Sequence, residues 1–469
     1  METVTQSRAP STSLRGPALR HYQQETLRAL IAQMRGRGSE TLTVMFPRQT
    51  GKNEVSAVLI AALLREHAAT GGSLVVCAPT FHPQAGISFE RSRYILGASD
   101  MLLATGGRSS AAVPTIAVGK ARAVFLSASP EAHVAGHTAS IGLIADEAQD
   151  IDADWFNRQF RPMAASTGAP TVMFGTPWNG ETLLERAVAQ NRRHDARARG
   201  LPYRDFLPRH HEVDWQTVAR SVPPYGRHVR AERERLGAGH PLFRTQYELE
   251  PAEGGGRLFT PAQLRALQGT HPRLRLPLEH ERYVGGLDLA GEGANADTVV
   301  LTIARVTARD GGAGVGCEVV EHVAWRSRPF AEVVAGCVAA ARAWRFEMLC
   351  VDATGMGAPI TAQLSDALGT RVRPVVFTAG EKSDLGYEML AAAGTGRLTL
   401  YQADGTPESD ACRAELRYCT AEFAPGGRLR WSAPGGRHDD FVASLALCLR
   451  AAKSAGAPRV AHGRRPGHE

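Results

Sequence analysis

Of the 54 Lys and Arg residues in this 469-residue chain only four are lysine: Lys52, Lys120, Lys382 and Lys453. An ammonium in so arginine-biased a sequence invites the question of what a guanidinium could not do in its place. Lys52 closes the run Pro47-Arg48-Gln49-Thr50-Gly51-Lys52-Asn53. The apolar segment Leu42–Phe46 precedes it, and Val55, Val58, Leu59, Ala62 and Leu63 follow on one helical face. Strand, tight loop and helix form the setting of a phosphate-binding loop: backbone N–H groups and the helix N-terminus cradle phosphates, and the lysine reaches the β/γ-phosphates. The fit to G-x-x-x-x-G-K-[ST] is imperfect. Phe46 stands where the first glycine belongs, and Asn53 replaces the hydroxyl residue that ligates Mg²⁺. A second apolar run, from Ile141, ends in Asp146-Glu147-Ala148-Gln149. Asp146 is suited to hold Mg²⁺, directly or through water, and Glu147 to polarise the attacking water. The plainer reading of the two acids is a helix N-cap followed by a first-turn carboxylate.

Two accessories fit a nucleotide site. In Arg20-His21-Tyr22-Gln23 the aromatic and the amide could bracket an adenine ring, or the segment could simply start an amphipathic helix. Thr176, in Gly175-Thr176-Pro177 at the tip of the run Thr171–Phe174, is placed to sense the γ-phosphate, or to make a plain turn.

A separate set of carboxylates lies in the C-terminal half. Asp288 ends the buried run from Val284, Asp352 ends a later one, and His438-Asp439-Asp440 opens the final helical pattern. Clustered carboxylates repel one another, so such a group is stable mainly around cations. Mg²⁺ takes hard oxygen ligands, and two such ions about 4 Å apart clamp the attacking and leaving oxygens of a phosphodiester. Residues at a helix start point about 100° apart, so one of Asp439 and Asp440 is expected to face Asp288, with Asp440 favoured. Asp297 is a fourth acid or a hairpin-turn residue.

The elements that must position these groups alternate in type. Short, continuously apolar runs (Leu42–Phe46, Leu74–Cys77, Ala123–Ser127, Ile141–Ala145, Thr171–Phe174) separate helical patterns, which predicts an α/β design with a mostly parallel sheet. The second half predicts three strands (Tyr283–Leu289, Thr298–Arg305, Glu318–Trp325), a helix over Phe330–Trp344, a strand over Met348–Val351, further α/β alternation and a last helix from Asp440. That order is ribonuclease-H-like, with first and fourth strands adjacent and Asp288 beside Asp352. The predicted organisation is a flexible N-terminus over 1–18, an NTPase core over 19–190, a basic linker over 191–256, a nuclease domain over 257–453 and a flexible tail over 454–469. The stretch 191–240 holds eleven Arg against six acids, which suits either an irregular solvated linker or a surface for nucleic acid. Glu253 to Gly256 reads as a hinge.

Composition narrows the classes. Seven cysteines without a CxxC pair argue against a disulfide framework and for a reducing compartment. No stretch approaches the roughly 18 consecutive apolar residues of a membrane span, and the N-terminus lacks the apolar core of a secretory signal. A net charge of +7 permits a polyanionic partner without proving one.

The deviant loop Arg48-Gln49-Thr50-Gly51-Lys52, the segment Asp146-Glu147-Ala148-Gln149 and Gly175-Thr176-Pro177 resemble the phosphate loop, Walker B segment and coupling motif of tailed-phage terminase large subunits. The resemblance covers roughly residues 20–450, because that family carries a ribonuclease-H-like nuclease after its ATPase. It implies that Arg48 contacts phosphate and that Glu147 is the catalytic carboxylate. It implies ATP and Mg²⁺ as cofactors, with Mn²⁺ an alternative in the nuclease site. It also implies double-stranded DNA, a small terminase subunit and a procapsid portal as partners. A homo-oligomeric ring during packaging, a monomer when free, and residence in the host cytoplasm with transient docking at the portal belong to the same expectation. Arg158 and Arg161 are candidates for an arginine acting on a neighbouring subunit's ATP. Two rival readings share some of these features: a cellular helicase–nuclease, and a non-hydrolysing, nucleotide-switched DNA-binding scaffold.

Overall fold

The computed structural model describes residues 18–36, 38–97, 113–132, 134, 136–197, 207–252, 256–289, 298–308, 314–355, 357–435 and 437–456. Asp297 and residues 253–255 of the expected hinge lie outside them. The chain divides into two compact units, residues 1–229 with 244–252, and 230–243 with 253–469.

In the first unit the apolar runs become strands. Its elements are α1 (His21–Arg35), β1 (Thr41–Met45), α2 (Lys52–Glu66), β2 (Gly72–Ala78), α3 (Gly86–Leu96), β3 (Thr115–Val118), β4 (Ala121–Ser127), β5 (Gly142–Ala145), α4 (Ala153–Gln159), α5 (Arg161–Ala165), β6 (Thr171–Gly175), α6 (Leu183–Arg197), β7 (His210–Glu212) and α7 (Trp215–Ser221). Helix α8 (Pro223–Leu236) follows. One seven-stranded sheet runs β3-β4-β2-β5-β6-β1-β7. Every pairing is parallel except β3 with β4. Alternate residues of each central strand fill opposite cores. Leu42, Val44, Val76, Ile144 and Val172 pack with α2, while Met45, Val75, Leu143 and Met173 pack with Leu184 and Phe156. Burial on both faces is why these strands read as unbroken apolar runs. The loops after β1, β5 and β6 leave from one edge of the sheet, the carboxyl edge at which open α/β sheets bind ligands.

The segment expected as an irregular linker is corrected in part. Its described residues form the end of α6, then β7, α7 and α8, and β7 pairs with β1 at the sheet edge. Buried Trp215 and Val218 anchor α7, so apolar spacing inside an arginine-rich stretch outweighs its overall polarity.

The second unit contains α9 (Pro241–Phe243), β8 (Gly256–Arg257), α10 (Pro261–Ala266), β9 (Tyr283–Asp288), β10 (Thr298–Ala308), β11 (Val315–Arg326), α11 (Phe330–Ala343), β12 (Met348–Asp352), α12 (Gly357–Leu368), β13 (Val372–Val375), α13 (Ala379–Gly394), β14 (Leu398–Leu400), α14 (Pro407–Tyr418), β15 (Thr420–Ala424), β16 (Arg428–Ser432) and α15 (Asp440–Ala455). A six-stranded sheet runs β13-β12-β9-β10-β11-β14, and a small sheet runs β16-β15-β8. Strands β9, β10 and β11 are antiparallel, while β12 lies parallel to β9 with Val351 opposite Leu287. The expected adjacency of first and fourth strands is thus present, and Asp288 and Asp352 leave neighbouring strands side by side.

Gly286 explains how the last helix reaches them. A Cβ there would fall 2.1 Å from the backbone N of Cys448 and 2.3 Å from the carbonyl of Ser444, so only glycine lets α15 lie on β9. Ser444 then fastens the contact. Its hydroxyl donates to Gly286 O at 2.8 Å and accepts from Thr302 N at 2.9 Å. Gly286→Ala must part helix from strand, because backbone atoms cannot step aside. We expect it to lower the unfolding free energy of this unit by at least about 1–3 kcal/mol, read as an earlier guanidinium midpoint.

All seven cysteines are buried and none is in a disulfide. Burial pushes the thiols of Cys337, Cys350, Cys412 and Cys419 up to about 12. No helix among the described residues is long and apolar enough to cross a membrane.

Candidate active sites

The first site is a cleft of about 810 Å³ lined by Gln23, Arg48, Gln49, Gly51, Lys52, Asn53, Glu147, Gln149 and Thr176, among others. The loop between β1 and α2 takes a left-handed turn at Gln49 (φ 62°) and again at Gly51 (φ 89°). At Gly51 a Cβ would also strike the Gln23 amide, which donates to Gly51 O at 3.3 Å. Tyr22 and Thr50 face inward. The Tyr22 hydroxyl donates to Thr50 O at 2.7 Å, and the Thr50 hydroxyl donates to Pro47 O at 2.6 Å. Tyr22 is a buried prop beneath the loop, and Gln23 alone of that pair lines the cleft. Arg48 is steered by Gln246, which accepts from its guanidinium at 2.8 Å, and by Tyr225, whose hydroxyl donates to Arg48 O at 3.0 Å. Arg158 and Arg161 are exposed on α4 and at the start of α5.

Lys52 and Glu147, 95 residues apart in sequence, meet at 2.7 Å. Burial works to raise the Glu147 carboxyl. The Lys52 ammonium, hydrogen bonds from Lys52 and Gln149, and the more distant Arg48 together hold it below its usual range. Gln149 extends the chain of contacts. Its amide donates to Glu147 at 3.0 Å, and its oxygen accepts from Thr176 N at 3.2 Å. Gly175 makes room for that amide, since a Cβ there would lie 2.2 Å from Gln149 Oε1. Lysine, carboxylate, amide and the turn after β6 form one connected path.

Asp146 is buried and receives hydrogen bonds from the hydroxyls of Ser56 on α2 and Ser88 on α3. Burial is the main cause of its raised pKa, which those hydroxyls partly oppose. Asp146 is not among the residues lining the cleft, and in this structure its carboxylate is engaged by those two hydroxyls. Ser56 and Ser88 were missed from sequence, where neither falls in a recognisable spacing.

In the second site Asp288 and Asp352 are buried, 7% and 8% exposed. Burial raises Asp288 well above the usual carboxylate range, and the charges of Asp440, Asp352 and Asp439 add to the rise. Asp352 is also raised by burial, against a hydrogen bond from Thr354 N at 2.8 Å. Asp440 accepts from Thr298 N at 3.2 Å. Both acids of the pair left open by sequence therefore act electrostatically on Asp288. Among the described residues no group of three His, Cys, Asp or Glu side chains is arranged to hold a metal ion as it stands. The residues nonetheless suit one. The donors are hard carboxylate oxygens, and Asp439 Oδ2 is buried without a hydrogen bond.

Two further groups escaped the sequence reading. Lys382 lies 3.6 Å from Asp439. Glu415, on α14, accepts from Phe441 N at 2.7 Å and Val442 N at 3.2 Å, capping the first turn of α15. Burial, with the charge of Asp440 beside it, pushes Glu415 up to about 8. A folded-state pKa above the unfolded one stabilises below the unfolded value and loses that contribution as pH rises through the folded value. With a chelator present, the melting temperature of this unit should fall between about pH 5 and 8, and Glu415→Gln should flatten the slope, as read by calorimetry.

No protein-family model and no curated protein matches this chain. Solved structures do. The large terminase of a thermophilic bacteriophage aligns with 12% identity over 92% of this chain and 98% of that one, with TM-score 0.50. The same terminase in complex with ATP-gamma-S gives 11% identity, the same coverage and a TM-score of 0.51. The large terminase nuclease from thermophilic phage G20c with bound magnesium gives 21% identity over 43% of this chain and 98% of that one, with TM-score 0.33. The full-length likeness speaks for fold. The chain has the α/β fold of these large terminases: a mostly parallel sheet of P-loop topology, followed by a mixed sheet with ribonuclease-H-like strand order.

Proposed function

We propose that this chain is the large subunit of a phage terminase, which drives double-stranded DNA into a procapsid by ATP hydrolysis and cuts concatemeric DNA with a metal-dependent nuclease. What carries the reading is the presence, in one chain of this fold, of two separate chemistries. Lys52 contacts Glu147 at the carboxyl edge of one sheet, and Asp288 stands beside Asp352 on neighbouring strands of another. The turn Gln49-Thr50-Gly51-Lys52-Asn53 would cradle the nucleotide's phosphates with backbone N–H groups and the N-terminus of α2. Arg48 adds a second cation, and Glu147 is the base that orients water. Gln149 holds that base and the Thr176 turn together, so a shift of the carboxylate is felt at the end of β6. In the second site Asp288, Asp352 and Asp440, with Asp439, would hold Mg²⁺ or Mn²⁺. Bound, the ions would neutralise the acids and act as Lewis acids on a phosphodiester. The chain's exposed arginines would meet the DNA backbone, and the small subunit, portal and ring are the partners such a motor needs.

The full chain should hydrolyse ATP faster with DNA and nick a supercoiled plasmid in Mg²⁺ or Mn²⁺. It should displace no strand from a tailed duplex. Strand displacement would shift the assignment to a helicase–nuclease, and loss of both turnovers to a nucleotide-switched scaffold.

A further inference from the structure

Lys382 sits where a lysine is least expected. It occupies the first turn of α13, where the helix dipole disfavours a cation. Three contacts hold it there against that preference. Its ammonium stands 4.5 Å from the ring centroid of Trp431 on β16. Its backbone carbonyl accepts from Trp431 Nε1 at 2.7 Å. Its Nζ lies 3.6 Å from Asp439 Oδ2, the buried oxygen that has no hydrogen bond. The platform is fitted to it. A Cβ at Gly386, one turn further along α13, would lie 2.7 Å from Trp431 Cδ1, so glycine lets the indole press against the helix. The charge reaches beyond Asp439, since it also opposes the upward shift of Asp288 and Asp352.

We propose that Lys382 is the built-in counter-cation of the acid cluster: its ammonium competes with a divalent ion for Asp439, and so sets the affinity of the nuclease site for metal. The inference rests on the nuclease reading above and deepens it. Lys382 is a positioning residue. Paired with Asp439 it offsets the repulsion of four neighbouring aspartates; when a divalent ion takes Asp439, the ammonium is displaced and its contact with Trp431 changes.

The test titrates MgCl₂ and MnCl₂ into the full chain and into Lys382→Gln and Lys382→Arg. Heat of binding and tryptophan emission are recorded, and Trp431→Phe identifies the part of the emission due to Trp431. Removing a cation a few ångströms from a ligand, at a partly exposed position, should tighten metal binding by about three- to tenfold in Lys382→Gln. Lys382→Arg, which keeps a cation beside Asp439, should bind metal less tightly than Lys382→Gln. In the parent, metal should alter the Trp431 emission, and in Lys382→Gln that change should vanish. Unchanged or weaker metal binding in Lys382→Gln overturns the inference while leaving the nuclease site standing. A parent whose Trp431 emission ignores bound metal overturns it too, even if the glutamine variant does not fold. A parent that binds neither ion overturns both this inference and the site reading beneath it.

Discussion

Lys52→Ala should abolish the proposed ATP hydrolysis and leave plasmid cleavage at the parental rate. The side chain is the one compact cation at the head of α2, and loss of a preorganised charge at a reacting phosphate costs at least about 10²–10³-fold in turnover. Lys52→Arg should fail nearly as badly, since a planar fork cannot replace a point charge in a loop shaped around an ammonium. The change also has a cost in stability. Glu147 is largely enclosed, and its depressed pKa depends on Lys52 more than on any other partner. A depressed carboxylate stabilises above its unfolded pKa and loses that contribution as pH falls through the folded value. At neutral pH the pair is therefore fully stabilising, and breaking it strands a carboxylate. With side chains 11% and 25% exposed, the loss is roughly 1–3 kcal/mol, below the range for fully buried pairs. Lys52→Ala combined with Glu147→Gln should recover much of the stability and none of the hydrolysis. A double variant as unstable as the single one would show that Lys52 matters to the fold through packing alone.

Asp288→Asn should separate activity from stability in the opposite sense. Cleavage in Mg²⁺ should fall by at least about 10²–10³-fold, because an amide oxygen neither neutralises nor holds a hard cation as a carboxylate does. Yet the protein measured in chelator should become more stable, by roughly 1–3 kcal/mol, because a buried charge facing three others is removed. The sign with pH follows. A raised carboxyl stabilises below its unfolded pKa and is increasingly unfavourable as pH climbs from the ordinary carboxylate range to its folded value. The gain from Asp288→Asn should thus grow with pH and shrink when Mg²⁺ is added to the parent. Calorimetry at several pH values, with and without Mg²⁺, measures both. A variant less stable than the parent at every pH would mean that Asp288 is held by partners that reward its charge, and the cluster would not be a cation site.

Groups that announce themselves along the chain were legible before the structure. Gly51-Lys52 follows an apolar run and precedes a helical face, and each of Asp288 and Asp352 terminates a buried run, so their positions follow from local pattern. Their adjacency followed from strand order. What was hidden lies in long-range contacts that leave no periodicity. Glu415 reaches the N-terminus of α15 from 26 residues away, and Ser88 meets Asp146 across 58. Strand β7 is only three residues long, embedded in a polar stretch, and is a strand because β1 offers it an edge. An aromatic near a phosphate loop suits a base or a core equally, and the sequence could not show that the Tyr22 ring is buried with its hydroxyl on Thr50 O. Lys382 carried one signal, its rarity, which asked a question without locating the answer.

The seven enclosed thiols have a practical consequence. To a maleimide dye the folded chain is effectively free of cysteine, because a reagent must reach the sulfur and burial denies it access. Ser166 and Ala367 are exposed, one in each unit. Cysteines introduced there singly or together would take donor and acceptor fluorophores without first stripping the native ones, so energy transfer between the two units could be followed on single molecules through each round of nucleotide binding and release.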